Sequence, residues 1–160
     1  PLVSFGEGFR YHVTGLMHDR VGFPTQRLDE INEWIERVFA KIEHNLDDIL
    51  LWAEDCQDKP RTVVIAYGST ARSARAAVRM ARDRRHKIGW VKLLTIWPFP
   101  EQMIERLCRP ARRVIVPEMN LGQLALEVER VVGRRKVIRV NRADGEMISP
   151  QQILTAIEER

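Results

Sequence analysis

The chain holds 160 residues, 44% of them hydrophobic and 30% charged, with Lys and Arg ahead of Asp and Glu by 26 to 22; this suffices for one ordinary globular domain, and the charge is too dispersed to name a nucleic-acid partner. Cys56 and Cys108 stand far apart without C-x-x-C or Cys/His spacing, which excludes a zinc or iron–sulfur site in this chain and fits a reduced intracellular setting. No run approaches the ~18 apolar residues of a membrane span and no charged leader precedes an apolar core, so a soluble, cytoplasmic chain with no membrane partner is expected.

The start at Pro1, with no initiator Met, is expected to be a processed end or a cut from a longer chain. Residues 1–25 are rich in Gly and aromatics, and the alternating stretch from Phe9 to Val13 reads as a short edge strand. Apolar residues then recur at Leu28, Ile31, Ile35, Val38, Ile42, Ile49 and Trp52, a spacing of threes and fours that predicts one or two amphipathic helices running to Trp52. Residues 1–59 are therefore read as an N-terminal extension packing on a core formed by residues 60–160.

After Pro60 strands and helices alternate. TVVIAY (62–67), IGWVKLL (88–94), RRVIVP (112–117) and KVIRV (136–140) read as strands. Helices follow them at 69–85, 100–108, 121–132 and 150–159. The strands are continuous apolar runs, as expected when helices cover both faces of a parallel sheet. The predicted fold is α/β, a doubly wound, mainly parallel sheet of about four to five strands. The last helix carries its start signal in full, with Ser149 as N-cap, Pro150 at the first helical position and Gln152 closing a capping box.

In such sheets ligands or partners meet the carboxyl ends of the strands, and three hinges fall there. Gly68-Ser69-Thr70 combines a flexible residue with two hydroxyls before a helix; turn capping fits it better than phosphate binding, because one glycine is not a Walker loop. Trp97-Pro98-Phe99-Pro100 is a stiff apolar knuckle that either seals the sheet or docks a neighbour. Glu118-Met119-Asn120-Leu121-Gly122-Gln123 places a carboxylate near a helix start, an Asn able to cap it and a Gly that permits close approach. Glu118, Asn120, Gly122 and Gln123 are read as structural or interface residues.

Two further patterns are open to a bland reading. Arg72, Arg75, Arg79 and Arg82 form a stripe on one helix face, read as solvated, with an acidic or phosphate-bearing partner as the alternative. His18 beside Asp19 could have its imidazole oriented by that carboxylate, although no nucleophile stands near it in the sequence, and a loop role fits better.

The stretches VTGLMHDRVGFPT (13–25), IAYGSTARSARAAV (65–78), LLTIWPFP (93–100), VIVPEMNLGQL (114–124) and DGEMISPQQIL (144–154) occur in this order. Together they resemble the C-terminal half of the α subunit of 2-oxoacid:ferredoxin oxidoreductases, most closely the 2-oxoglutarate type. The resemblance implies a transketolase C-terminal-like domain beside an upstream pyrimidine-binding domain of the same subunit, in an enzyme that converts a 2-oxoacid, coenzyme A and oxidised ferredoxin to acyl-CoA, carbon dioxide and reduced ferredoxin. It also implies a β subunit, with small iron–sulfur and γ subunits as further partners. Thiamine diphosphate, Mg2+ and iron–sulfur clusters are expected elsewhere in the complex. The thiamine signature Gly-Asp-Gly is not met, since Asp144-Gly145 follows Ala143, so the chain is expected to bind no cofactor and to supply no catalytic residue. Two alternatives remain at this level: the C-terminal domain of a 2-oxoacid dehydrogenase β subunit, and a freestanding nucleotide-binding α/β domain using Gly68-Ser69-Thr70.

Overall fold

A computed structural model describes residues 3–9 and 14–159. The strand predicted from Phe9 to Val13 falls almost wholly on residues outside that description. The chain divides into two compact units, Pro1–Leu46 and Asp47–Arg160.

In the first unit the loop at residues 17–25 is closed by backbone bonds from Asp19 N–H to the Phe23 carbonyl at 2.8 Å and from Thr25 N–H to the Met17 carbonyl at 2.9 Å. Helix α1, Leu28–Glu43, follows. Asp29 and Glu30 in its first turn and Lys41 in its last match the helix dipole. The Asn45 side-chain amide donates to the Lys41 carbonyl at 2.8 Å, satisfying one of the orphan acceptors at its end. No residue of α1 is buried.

The second unit opens with a single helical turn, α2, Leu46–Ile49, whose first residue belongs to the first unit. The predicted continuation of the helix through Trp52 is not found. Trp52–Cys56 is a strand, β1, paired antiparallel with β3, Ile88–Leu93. Four of its five residues are exposed, so neither apolar alternation nor a buried run marks it in the sequence; its extended form depends on the β3 edge. The sheet-bearing unit spans Asp47–Arg160.

The sheet runs β1-β3-β2-β4-β5, with β2 Thr62–Tyr67, β4 Arg113–Glu118 and β5 Val137–Asn141, and all but β1 parallel. Helices α3 Thr70–Asp83 and α6 Pro150–Glu158 cover one face, while α4 Glu101–Cys108 and α5 Gln123–Val132 cover the other. Strand β2 shows why both are needed: Val64 and Ala66 enter one core, Val63 and Ile65 the other, and all four are fully buried. Small residues Ala71, Ala74, Ala77 and Ala81 let α3 lie close to the sheet. The capping box of α6 forms as read from its sequence, Ser149 accepting from Gln152 N–H and Gln152 accepting from Ser149 N–H.

Close packing also sets the join of β1 to β3. A Cβ on Gly89 would lie 2.6 Å from Cys56 Sγ and 3.3 Å from Val63 Cγ2. Gly89→Ala should lower unfolding stability in urea by about 1–3 kcal/mol through overpacking, and Cys56→Ala in the same chain should restore part of it. Equal losses in the single and double variants would show that the thiol is not the obstacle.

Candidate functional site

In sequence order the chain passes from β2 to β3 on one side and then returns across β2 to β4 on the other. The carboxyl ends of β2 and β4 therefore flank the switch point at which an open α/β sheet forms its natural crevice. The ladder between these strands joins only Thr62–Val64 to residues 113–115.

Side chains of the chain itself meet at these strand ends. Glu118, at the tip of β4, is completely buried. Its Oε2 accepts from Leu124 N–H and its Oε1 from Ala125 N–H, both at 2.9 Å. These are the second and third residues of α5, so the carboxylate satisfies two orphan donors where the helix dipole favours negative charge. Asn120 Oδ1 accepts from Gly122 N–H at 2.8 Å and Gln123 N–H at 3.0 Å. Its amide reaches across to the Tyr67 hydroxyl at the end of β2, 2.8 Å away. From β5 the Asn141 amide donates to the Asn120 carbonyl at 2.9 Å. Burial, and then the neighbouring charge of Glu118, push the Tyr67 hydroxyl up from its ordinary pKa.

Gly122 precedes α5 with φ +105°, and a Cβ there would lie 2.9 Å from Arg139 Nη1. The backbone favours glycine there, and a Cβ would also make the Arg139 guanidinium, which pairs with Glu129 at 2.7 Å, shift. The N-cap position of α5 is Gly122, which has no side-chain cap, and Asn120 instead closes the turn that leads into the helix. Glu118 is no surface residue, and it holds the helix start from inside.

The other hinges lie at the same end of the sheet. Gly68 has φ +54° in open space, Thr70 is buried, and the Ser69 hydroxyl lies 3.9 Å from Met119 Sδ. The Trp97 hinge is braced through Thr95, whose hydroxyl donates to the Ile49 carbonyl at 2.6 Å and accepts from Leu51 N–H at 3.2 Å. Trp97 itself is 73% exposed, and Phe99 packs partly against the core. Leu94, Ile96, Leu121 and Met147 are also exposed in the strand-end loops. Three participants escaped sequence reasoning: Tyr67, Asn141 and Leu121. Of these only Tyr67, a hydroxyl closing an apolar strand run, carried a local signal.

The arginine stripe of α3 divides. Arg72, Arg75 and Arg79 are exposed, and Arg75 lies over the Trp90 ring, 5.6 Å from its centroid. Arg82 is instead a tie to β1 and β3, donating to Asp55 Oδ2 at 2.8 Å, to the Asp55 carbonyl at 2.6 Å and to the Ile88 carbonyl at 3.0 Å. In the first unit Asp19 does not orient His18; its Oδ1 accepts from Val21 and Phe23 N–H, both at 2.9 Å. His18 and Asp19, with Arg20, Glu30, Glu33, Trp34 and Arg37, line an open cleft.

Among the described residues no three of His, Cys, Asp and Glu gather to hold a metal ion, and no helix is long and apolar enough to cross a membrane. Burial pushes the Cys108 thiol up to about 12, and Cys56 is raised in the same direction by the same cause. Two such thiols do not meet the donor set of an iron–sulfur cluster.

Residues 61–153 match the protein family described as pyruvate:ferredoxin oxidoreductase core domain II. The chain is 38% identical over 154 residues to the 2-oxoglutarate synthase subunit KorA of Methanocaldococcus jannaschii, covering 96% of this chain and 41% of that one. To the ketoisovalerate oxidoreductase subunit VorB of Methanothermobacter thermautotrophicus it is 33% identical over 132 residues, covering 82% and 37%. It thus spans about two fifths of the curated relatives it matches. Among solved structures, the 2-oxoglutarate:ferredoxin oxidoreductase from Magnetococcus marinus, with 2-oxoglutarate, coenzyme A and succinyl-CoA bound, superposes with a TM-score of 0.83 at 22% identity, over 99% of this chain and 28% of that one. An inactive β4 tetramer of a split-gene transketolase gives 0.57 at 17%, over 68% and 40%. Both likenesses support the α/β fold read from the sequence.

Two measurements probe this geometry. Glu118→Gln keeps the shape but turns an amide N–H2 toward backbone donors, and should cost about 2–3 kcal/mol in urea unfolding, more than Asn120→Ala at about 1 kcal/mol; a neutral Glu118→Gln would mean the carboxylate is not what holds α5. The Arg82 guanidinium beside Asp55 holds its carboxyl below the usual carboxylate range. A depressed folded pKa contributes stability that is present above the unfolded value of about 3.9 and is lost as pH falls through the folded one. Asp55→Asn should therefore flatten the acid limb of the stability curve, and an unaltered limb would remove the pair as a contributor.

Proposed function

The chain belongs to the pyruvate:ferredoxin oxidoreductase core domain II family, and from that premise we propose that it is the non-catalytic domain of the α subunit of a thiamine-diphosphate-dependent 2-oxoacid:ferredoxin oxidoreductase of the 2-oxoglutarate type. Its work is to hold the cofactor-bearing domains in register. The observation that carries this reading is the set of hydrogen bonds that Glu118, Asn120 and Tyr67 make at the switch point, with Trp97 and Leu121 exposed in the strand-end loops. A sheet end whose loops expose large apolar side chains is suited to grip protein.

In this reading the upstream pyrimidine-binding domain of the same subunit and the β subunit cover the strand-end loops, with small iron–sulfur and γ subunits completing the complex. Thiamine diphosphate, Mg2+ and the iron–sulfur clusters are held by those other parts, as are coenzyme A and the 2-oxoacid. The domain contributes to rate by positioning, which can supply several orders of magnitude without a reacting group. The complex works in the cytoplasm, where Cys56 and Cys108 remain thiols.

The test uses the full-length subunit with its partners. Trp97→Ser with Leu121→Ser should weaken assembly by roughly 30-fold or more, as removal of a buried aromatic anchor does, and turnover should fall with the loss of complex. Undiminished assembly would remove the strand-end loops as the grip. A second arm titrates thiamine diphosphate into the 160-residue chain by calorimetry; no heat of binding is expected, and saturable binding would overturn the assignment of roles.

A further inference from the structure

The two ends of the sheet differ in chemistry as well as in direction. The four turns that enter the parallel strands, residues 57–61, 84–87, 109–113 and 134–136, hold eleven Lys or Arg and one Asp. The loops that leave those strands, residues 68–69, 94–100, 119–122 and 142–149, hold one Arg and are otherwise apolar, polar or acidic. A chain with a formal net charge of only +4 has therefore gathered much of its positive charge at one pole.

The placement follows from topology. Arg61 N–H bonds to the Lys87 carbonyl at 3.0 Å, and Arg112 N–H to the Arg61 carbonyl at 2.9 Å, so Lys87, Arg61 and Arg112 stand side by side across β3, β2 and β4. Arg135 precedes β5 at the next position. Arg85 and Arg109 lie in the turns before β3 and β4. All six are exposed, and none forms an ion pair or a side-chain hydrogen bond with another described residue. The neighbouring cations with structural duties are distinct: Arg84 pairs with Glu158 at 2.6 Å, and Arg113 donates to the Ile157 carbonyl at 2.8 Å.

Two of the basic residues sit where the backbone favours glycine. Lys59 has φ +46° and Arg85 φ +66°, in the left-handed region where a side chain carries a conformational cost. At Arg85 this conformation closes α3, with Arg85 N–H on the Arg82 carbonyl at 2.8 Å and His86 N–H on the Ala81 carbonyl at 3.1 Å.

We propose that the amino-terminal pole of the sheet, centred on Arg61, Lys87, Arg112 and Arg135, is a docking surface for a separate acidic protein that binds reversibly. At about 4.8 Å per strand the row is roughly 15 Å wide, the scale of a cluster of Asp and Glu side chains on a folded partner. The four turns hold no Phe, Tyr or Trp, so they offer no stacking platform for single-stranded nucleic acid. They also lack the apolar centre of a permanent interface, which the opposite pole possesses. Charge without an apolar centre gives steered, salt-sensitive and short-lived contacts.

The experiment measures fluorescence anisotropy of a labelled poly-glutamate peptide of about 20 residues with the full chain at about 50 mM salt, where screening is modest. The peptide should bind saturably, and Arg61→Glu with Arg112→Glu and Arg135→Glu should weaken it at least about tenfold. Arg72→Glu with Arg75→Glu and Arg79→Glu makes the same change in net charge on the exposed face of α3 and should change affinity less than about twofold. The Gln versions of the first triple carry the test if charge reversal impairs folding, as judged by thermal melting. Absence of binding, equal losses from the two triples, or tighter binding of a single-stranded oligonucleotide of the same length through the same three residues would each overturn the proposal. None of these outcomes depends on assembly of the complex.

Discussion

A carboxylate with no exposure to water, shared between two backbone N–H groups, is the constraint on which the upper half of the sheet depends. Glu118 ends β4 and holds Leu124 and Ala125, so strand and helix cannot separate without leaving a charge and two donors unpartnered in the interior. Such a group is costly when broken and of modest net worth when intact. Its effect is one of geometry: the Glu118 bonds fix where α5 starts, and the α5 start positions Asn120, Gly122 and the Leu121 side chain. From there hydrogen bonds run to Tyr67 on β2 and Asn141 on β5. Three strand tips thus behave as one body.

The β2–β4 ladder pairs only residues 62–64 with 113–115, and in related architectures the strand ends at this point receive a small molecule. Here Asn120 and the Tyr67 hydroxyl are hydrogen-bonded to one another there, and the buried Glu118 holds the start of α5. Trp97 and Leu121 are exposed in the strand-end loops. The opposite pole follows another logic, with long cationic side chains and no apolar centre.

Legibility in the sequence tracks the distance over which each feature is determined. Strands β2 to β4 read as continuous apolar runs because helices cover both faces, and α6 announces itself through Ser149 and Gln152, which hydrogen-bond to one another across Pro150. Strand β1 is invisible in the same way that the others are plain: Trp52–Cys56 is largely exposed, and its extended backbone is imposed by β3. Arg82 looks like its neighbours along the helix, yet Asp55, 27 residues away, makes it a tie. His18 and Asp19 are adjacent in sequence, but the carboxylate turns to the loop backbone.

The sequence by itself determined the alternation of strands and helices, the two-faced burial of the central strands, the cap of α6, and a resemblance carried by hinges in a fixed order. These depend on contacts within a few residues, where local chemistry decides. Only the tertiary structure decided that Glu118 lies inside, that Asn120 bonds to Tyr67 and Asn141 across three strand tips, and that Arg61, Lys87, Arg112 and Arg135 share one edge. Each of those facts requires residues tens of positions apart to meet, and it is the parallel entry of strands into a single sheet that brings them together.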